Sequence, residues 1–225
     1  MPERRKLAAY TVPFLAFVAL LALNGWLKKI DDQLWLTLPE YWIYPTQTVL
    51  CGALLVWFRR EYDLNGLRHA GFAMLIGIIA FIFWISPQAL FGFLPRTEGF
   101  NPVSIFGNQG VLYWPEIVLR FARLVVVVPF VEEIFWRGCL LRFLIDENFE
   151  RLPVGTFSWF SFSIVTLGFA LAHSPADWPA AVVTGALYNG VAYRTKSLSS
   201  CILTHAVTNL LLGLWIMSTK QWGFW

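Results

Sequence analysis

Val125-Val126-Val127-Val128-Pro129-Phe130-Val131-Glu132-Glu133-Ile134-Phe135-Trp136-Arg137-Gly138 is the stretch that decides the reading. It is apolar enough for the interior of a helix, yet it holds two adjacent carboxylates and an arginine. Residues four apart share a helix face, whereas neighbours point about 100° apart, so Glu133 pairs with Arg137 while Glu132 faces elsewhere. A carboxylate paired with arginine stays ionised and structural. An unpaired one in a low-dielectric pocket gains proton affinity and suits a general base. Pro129 cannot donate to the carbonyl one turn before it, so the spacing predicts a bend beside the acids.

The segment lies in a chain of 225 residues that is 57% hydrophobic and 14% charged, well below the roughly 25% charged residues of soluble domains. Apolar stretches recur at 8–27, 41–58, 70–94, 116–145, 157–173, 178–194 and 198–217, each near the length needed to cross a hydrocarbon core of about 30 Å. The expectation is one all-α domain over residues 1–225, a polytopic transmembrane bundle of about seven helices. An eighth is admitted if residues 95–115 or the long fourth segment hold a further break. Residues 8–115 supply the first helices and an outer loop, and 116–217 a catalytic core. Pro95, Gly99, Pro102, Gly107 and Gly110 are expected to break any helix in that loop. Arg4-Arg5-Lys6 ahead of an apolar run resembles a signal peptide, but its length favours a retained first helix.

Placing the N-terminus in the cytoplasm puts Arg4, Arg5, Lys6, Arg59, Arg60, Arg68, Arg142, Arg151, Arg194 and Lys196 inside, against Lys28, Lys29, Arg96 and Lys220 outside. The positive-inside rule selects that orientation, as expected of a multi-pass protein of a cell inner membrane. Trp26, Trp35, Trp42, Trp57, Trp114, Trp215 and Trp222 fall near span ends, as an interfacial aromatic belt requires. A net charge of +3, dispersed along the chain, gives no nucleic-acid footprint. Cys51, Cys139 and Cys201 lack any paired spacing and read as packing residues.

Ionisable residues inside spans are functional hypotheses by default. His173 ends the fifth span, and His205 and Asn209 share a face of the seventh. At about 1.5 Å per residue, Glu132 stands roughly 20 Å from the inner end of its helix, His173 roughly 24 Å, and His205 and Asn209 roughly 10 and 16 Å. Convergence at one level is therefore permitted. Glu132 and His173 would hold and deprotonate a water, and His205 with Asn209 would donate to an oxyanion, which is what hydrolysis of an amide bond needs. Zinc is the rival reading, because Glu, His and Asn are donors, but the helical His-Glu-x-x-His arrangement is absent and no metal or other cofactor is assigned. Ser174 and the cysteines have no base at a fixed spacing. Arg120 and Arg123 are expected to snorkel or to pair, Arg120 with Glu116. Ala181, Gly185, Ala186 and Gly190 offer small surfaces for helix contact.

Glu132, Glu133 and Arg137 form Glu-Glu-x-x-x-Arg, Phe169 and His173 form Phe-x-x-x-His, and His205 and Asn209 form His-x-x-x-Asn. Together and in this order they resemble the CPBP intramembrane proteases, which include the type II CAAX prenyl endopeptidases and bacterial CAAX prenyl protease-related and immunity-type proteins. The resemblance spans residues 125–215 and implies an intramembrane endopeptidase. Glu132 and His173 would activate water, His205 and Asn209 would form the oxyanion site, and Glu133, Arg137 and Phe169 would support them. It also implies a glutamic protease, although the family has been described as metalloendopeptidases. The expected partners are the bilayer and a membrane-associated protein or peptide entering from the cytoplasmic half, with no nucleic acid. Oligomeric state is not readable. The alternatives are a non-catalytic immunity or scaffolding protein that keeps the polar cluster for packing, and a proton-coupled transporter, disfavoured because no inverted repeat is visible.

Overall fold

The structure is a computed structural model that describes residues 4–29, 36, 38–64, 66–97, 99–107 and 110–225. Its helices are α1 (Arg4–Leu27), α2 (Glu40–Trp57), α3 (Ala70–Leu90), α4 (Pro102–Phe106), α5 (113–143), α6 (Trp159–Leu171), α7 (Trp178–Thr195) and α8 (Leu198–Thr219). Among the described residues there is no strand. Each of the seven apolar stretches thus contains a helix. The addition is α4, inside the loop expected to be free of helix. Asn101 caps it by accepting from the Val103 N–H at 3.0 Å, with Pro102 in the first turn, where its missing N–H costs nothing.

Three helices, α1, α3 and α8, are long and apolar enough to cross a membrane by length and composition. At 13 residues α6 is only about 20 Å long, and α5 carries Glu116, Arg120, Arg123, Glu132, Glu133, Arg137 and Arg142 in its run. The outer surface nevertheless fits lipid, since Leu15, Val49, Leu75, Phe160, Leu167 and Leu214 are exposed on α1, α2, α3, α6 and α8.

The helices alternate in direction, and polar contacts gather at two opposite ends. At one end Arg5 Nε meets Glu61 Oε1 at 2.8 Å, Lys6 Nζ meets Asp63 Oδ1 at 3.2 Å, and Ser200 Oγ donates to the Arg68 carbonyl at 2.7 Å. At the other, Lys28 pairs with Glu40, Arg96 pairs with Asp177, and the Gly223 N–H donates to the Arg96 carbonyl at 3.0 Å. The first end gathers many of the residues assigned inside by the charge rule.

Trp26, Trp57 and Trp114 are exposed near helix ends. Trp222 departs from the expected belt: it is buried, because the chain after α8 turns back and packs beside Leu212 and Ile216. Trp35 lies outside the described residues. The tightest crossing joins α3 and α8. A Cβ on Gly77 would stand 2.6 Å from the Thr204 carbonyl oxygen, and Thr208 Oγ1 donates to the Gly77 carbonyl at 2.9 Å. This is close packing through a small residue, locked by a hydroxyl.

Candidate active site

Helix α5 is not uniformly α-helical. Residues Ala122–Val127 and Ile134–Leu140 are π-helical, and the α-helical turns between them, Val128–Glu133, present the acid pair. π turns are rare and recur at functional sites. Val128 donates to the Arg123 carbonyl, five residues back. In that register Pro129 would donate to Leu124 but has no N–H. The Leu124 carbonyl instead accepts from Asn209 Nδ2 at 2.8 Å. The expected local disturbance at Pro129 thus takes the form of a freed carbonyl that fastens α8 to α5.

The two glutamates have different surroundings. Glu133 is fully buried, and its Oε1 accepts from Arg137 Nη1 at 3.0 Å and from His205 Nδ1 at 2.9 Å. Arg137 uses its remaining donors on other helices: Nε on Asn189 Oδ1 and Nη2 on the Gly185 carbonyl, both at 3.0 Å, over the rings of Phe169 and Tyr188. Asn189 in turn donates to Thr166 Oγ1 at 3.1 Å. Gly185 permits this approach, since a Cβ there would stand 3.2 Å from the Phe169 ring. One guanidinium thus joins α5, α6 and α7, and Glu133 extends the network to α8.

Glu132 belongs to no such network. Its Oε2 is buried without a hydrogen-bond partner, and its side chain lines a cavity of about 320 Å³. His173, His205 and Asn209 line the same cavity, together with Phe169, Tyr188 and Arg123. The four residues expected to carry chemistry are therefore brought to one space, while Glu133 and Arg137 lie beneath it.

His173 sits in the turn that follows α6, past the helix in which it was placed. Its Nδ1 is 2.7 Å from the Phe169 carbonyl oxygen, which can only accept, so Nδ1 carries a proton and Nε2 of the neutral ring is a free base. Phe169 and Trp84 flank the ring, with centroids 4.7 and 5.4 Å away, and Trp178 Nε1 donates to the His173 carbonyl at 3.1 Å. His205 is likewise bound through Nδ1, but to a carboxylate. In its neutral form its Nε2 is a lone pair, and it donates from that nitrogen only as imidazolium.

Arg120 and Arg123 do not snorkel, and among the described residues neither forms an ion pair. Both are buried and stack on Tyr44, at 3.9 and 4.5 Å from the ring centroid, because residues distant in sequence build an aromatic shelf around them. Sequence reasoning also passed over Gln47, Trp84, Tyr188 and Asn189. Gln47 and Asn189 were detectable in principle as amides in apolar runs. The other two become notable only through their neighbours. Among the described residues no group of three His, Cys, Asp or Glu side chains is arranged to hold a metal ion.

Residues 114–211 match the family model described as Type II CAAX prenyl endopeptidase Rce1-like. No curated protein and no solved structure matches the chain significantly. The matched residues include every member of the three motifs.

Proposed function

We propose that this chain, whose residues 114–211 belong to the Rce1-like type II CAAX prenyl endopeptidase family, hydrolyses a peptide bond of a membrane-associated protein or peptide. The observation that carries this reading is the contrast within the acid pair. Each acid keeps a buried, unpartnered Oε2, but Glu133 is held through Oε1 by Arg137 and His205, whereas Glu132 forms no ion pair among the described residues and lines a cavity shared with His173, His205 and Asn209.

Glu132 takes a proton from a water held between its carboxylate and Nε2 of His173, and the hydroxide adds to the scissile carbonyl. The oxyanion is met by the second N–H of Asn209 and by His205 as imidazolium, with Glu133 as its counter-ion. As the tetrahedral intermediate collapses, the proton held by Glu132 passes to the leaving amine. No covalent nucleophile is required, and the step invokes no metal.

Access follows from the direction of the cavity. Its walls include Tyr44, Trp84, Ser174, Asp177 and residues 223–225, all toward the end of the bundle opposite the Arg5–Glu61 pair. If the N-terminus is placed in the cytoplasm, a substrate in this reading reaches Glu132 from the outer half of the bilayer, an alternative to the cytoplasmic-half entry expected from sequence. The test is incubation of the detergent-purified, chelator-treated protein with lipidated peptides and identification of products by mass. A defined internal cut supports the reading. Intact peptides under all conditions, with the protein monodisperse, favour the non-catalytic alternative.

A further inference from the structure

Glu132, His205 and Asn209 are carried by helices, but α6 ends at Leu171, before His173 is reached. The direction of the His173 ring therefore depends on the turn that follows. The His173 N–H donates to the Ala170 carbonyl at 3.0 Å, its carbonyl accepts from Trp178 Nε1 at 3.1 Å, and Ser174 Oγ donates to Asp177 Oδ2 at 2.5 Å. Asp177 occupies the N-cap position of α7, where a carboxylate ordinarily accepts from the first N–H groups of its own helix. It makes no such bond: Oδ2 holds Ser174, and Oδ1 pairs with Arg96 Nη1. A favourable local cap is forgone, as happens where a site needs the group elsewhere.

Arg96, distant in sequence, comes from the loop between α3 and α4 and is itself fixed by several contacts. Its Nη2 donates to the Ala176 carbonyl at 3.3 Å, and its guanidinium carbon lies 4.5 Å from the centroid of the Phe224 ring. Its main-chain N–H donates to Gln221 Oε1 at 3.3 Å, and its carbonyl accepts from the Gly223 N–H at 3.0 Å. Ser174, Asp177, Gly223 and Phe224 line the cavity together with His173. The side chains of Arg96 and Asp177 are 18% and 15% exposed, and ion pairs that water reaches add little to folding stability. What this pair fixes is the place of one turn.

Resting on the peptidase reading, we infer that Arg96 and Asp177 are positioning residues for the hydrolysis. Through Ser174 they hold the turn so that His173 Nδ1 stays on the Phe169 carbonyl and Nε2 is left for the water that Glu132 deprotonates. Neither residue touches the reacting atoms. A displacement of about 1 Å at a group that orients a reactant costs on the order of 10²-fold in rate. A contact of little worth to the fold is in this way decisive for the rate.

The test uses the full chain in detergent and two readouts, cleavage of a fluorogenic lipidated peptide pool and histidine NMR with nitrogen-labelled side chains. The chain has three histidines, and the His173 signals are those lost in His173→Gln. At about pH 8.5, where a free imidazole is neutral, the unsubstituted protein is expected to show His173 as one tautomer with the proton on Nδ1. Asp177→Asn keeps an acceptor for Ser174 and removes the charge that faces Arg96. It is expected to move these signals toward a mixture of tautomers and to lower kcat and kcat/KM together, by about tenfold to a hundredfold, with the melting temperature preserved. Arg96→Gln should do the same, Arg96→Lys should retain part of the rate, and the exchange of Arg96→Asp with Asp177→Arg should recover part of what either reversal loses alone. Unchanged His173 signals and kcat in both Asp177→Asn and Arg96→Gln overturn the inference. So does a rise in KM at constant kcat, which makes the pair a wall of the cavity, and so does a rate loss that tracks a lower melting temperature without rescue by the exchange. The two readings fail separately: His173 signals that respond in a protein that cleaves nothing sink the peptidase reading alone, and cleavage with unresponsive His173 signals sinks the positioning inference alone.

Discussion

His205 Nδ1 and Arg137 Nη1 both donate to one oxygen of Glu133, at 2.9 and 3.0 Å, with all three side chains buried. Glu133 is therefore the node through which the charge of α5 orients a histidine of α8, and its neighbour Glu132 is left without that burden.

Removing one member of this node leaves an uncompensated charge in a buried site. Glu133→Gln is predicted to destabilise the protein by about 3–5 kcal/mol, because Arg137 loses its counter-ion. The double substitution Glu133→Gln with Arg137→Gln is predicted to recover part of that loss. Thermal unfolding in detergent, followed by fluorescence, measures both.

Pro129 and Asn209 are coupled through the Leu124 carbonyl. Pro129→Ala supplies an N–H that competes for this acceptor, so Asn209 is released from its anchor. The expected outcome is little change or a gain in stability together with a several-fold loss of cleavage rate, measured on the same preparation. An equal rate would separate Asn209 from the oxyanion.

Gly77 sets the distance between α3 and α8. Gly77→Leu forces the helices apart against the Thr204 carbonyl and breaks the Thr208 bond, and it is predicted to cost about 1–3 kcal/mol. A lowered melting temperature is the readout, with Gly71→Leu, which meets nothing within 4 Å, as the control expected to remain unchanged.

The seven-span reading predicts opposite sides for the two ends of the bundle. Cys51, Cys139 and Cys201 are buried, so a cysteine introduced at exposed Arg60 or Lys220 dominates labelling by a membrane-impermeant maleimide. Arg60→Cys is expected to be protected in intact cells, and Lys220→Cys to react.

Much of this was legible in the sequence, and for one physical reason. Polar groups are so costly in apolar helices that Glu132, Glu133, Arg137, His205 and Asn209 stand out, and four-residue spacing separates Glu133 from Glu132 before any coordinates. What was not legible depends on long-range contacts. The shelf under Arg120 and Arg123 is assembled from Tyr44, Phe100, Phe17 and Trp225. The burial of Trp222 follows from the chain folding back onto Arg96. The π turns of α5 leave no mark in residue composition, and α4 depends on a single Asn-Pro cap within a stretch that reads as broken.

The most direct measurement compares Glu132→Gln with the unsubstituted protein in cleavage rate and melting temperature together. Glu132→Gln keeps shape and hydrogen bonding while removing the base. The rate is expected to fall by about 10²–10⁴ with the melting temperature preserved. Cleavage at the unsubstituted rate would contradict the assignment of Glu132 as the base that activates water.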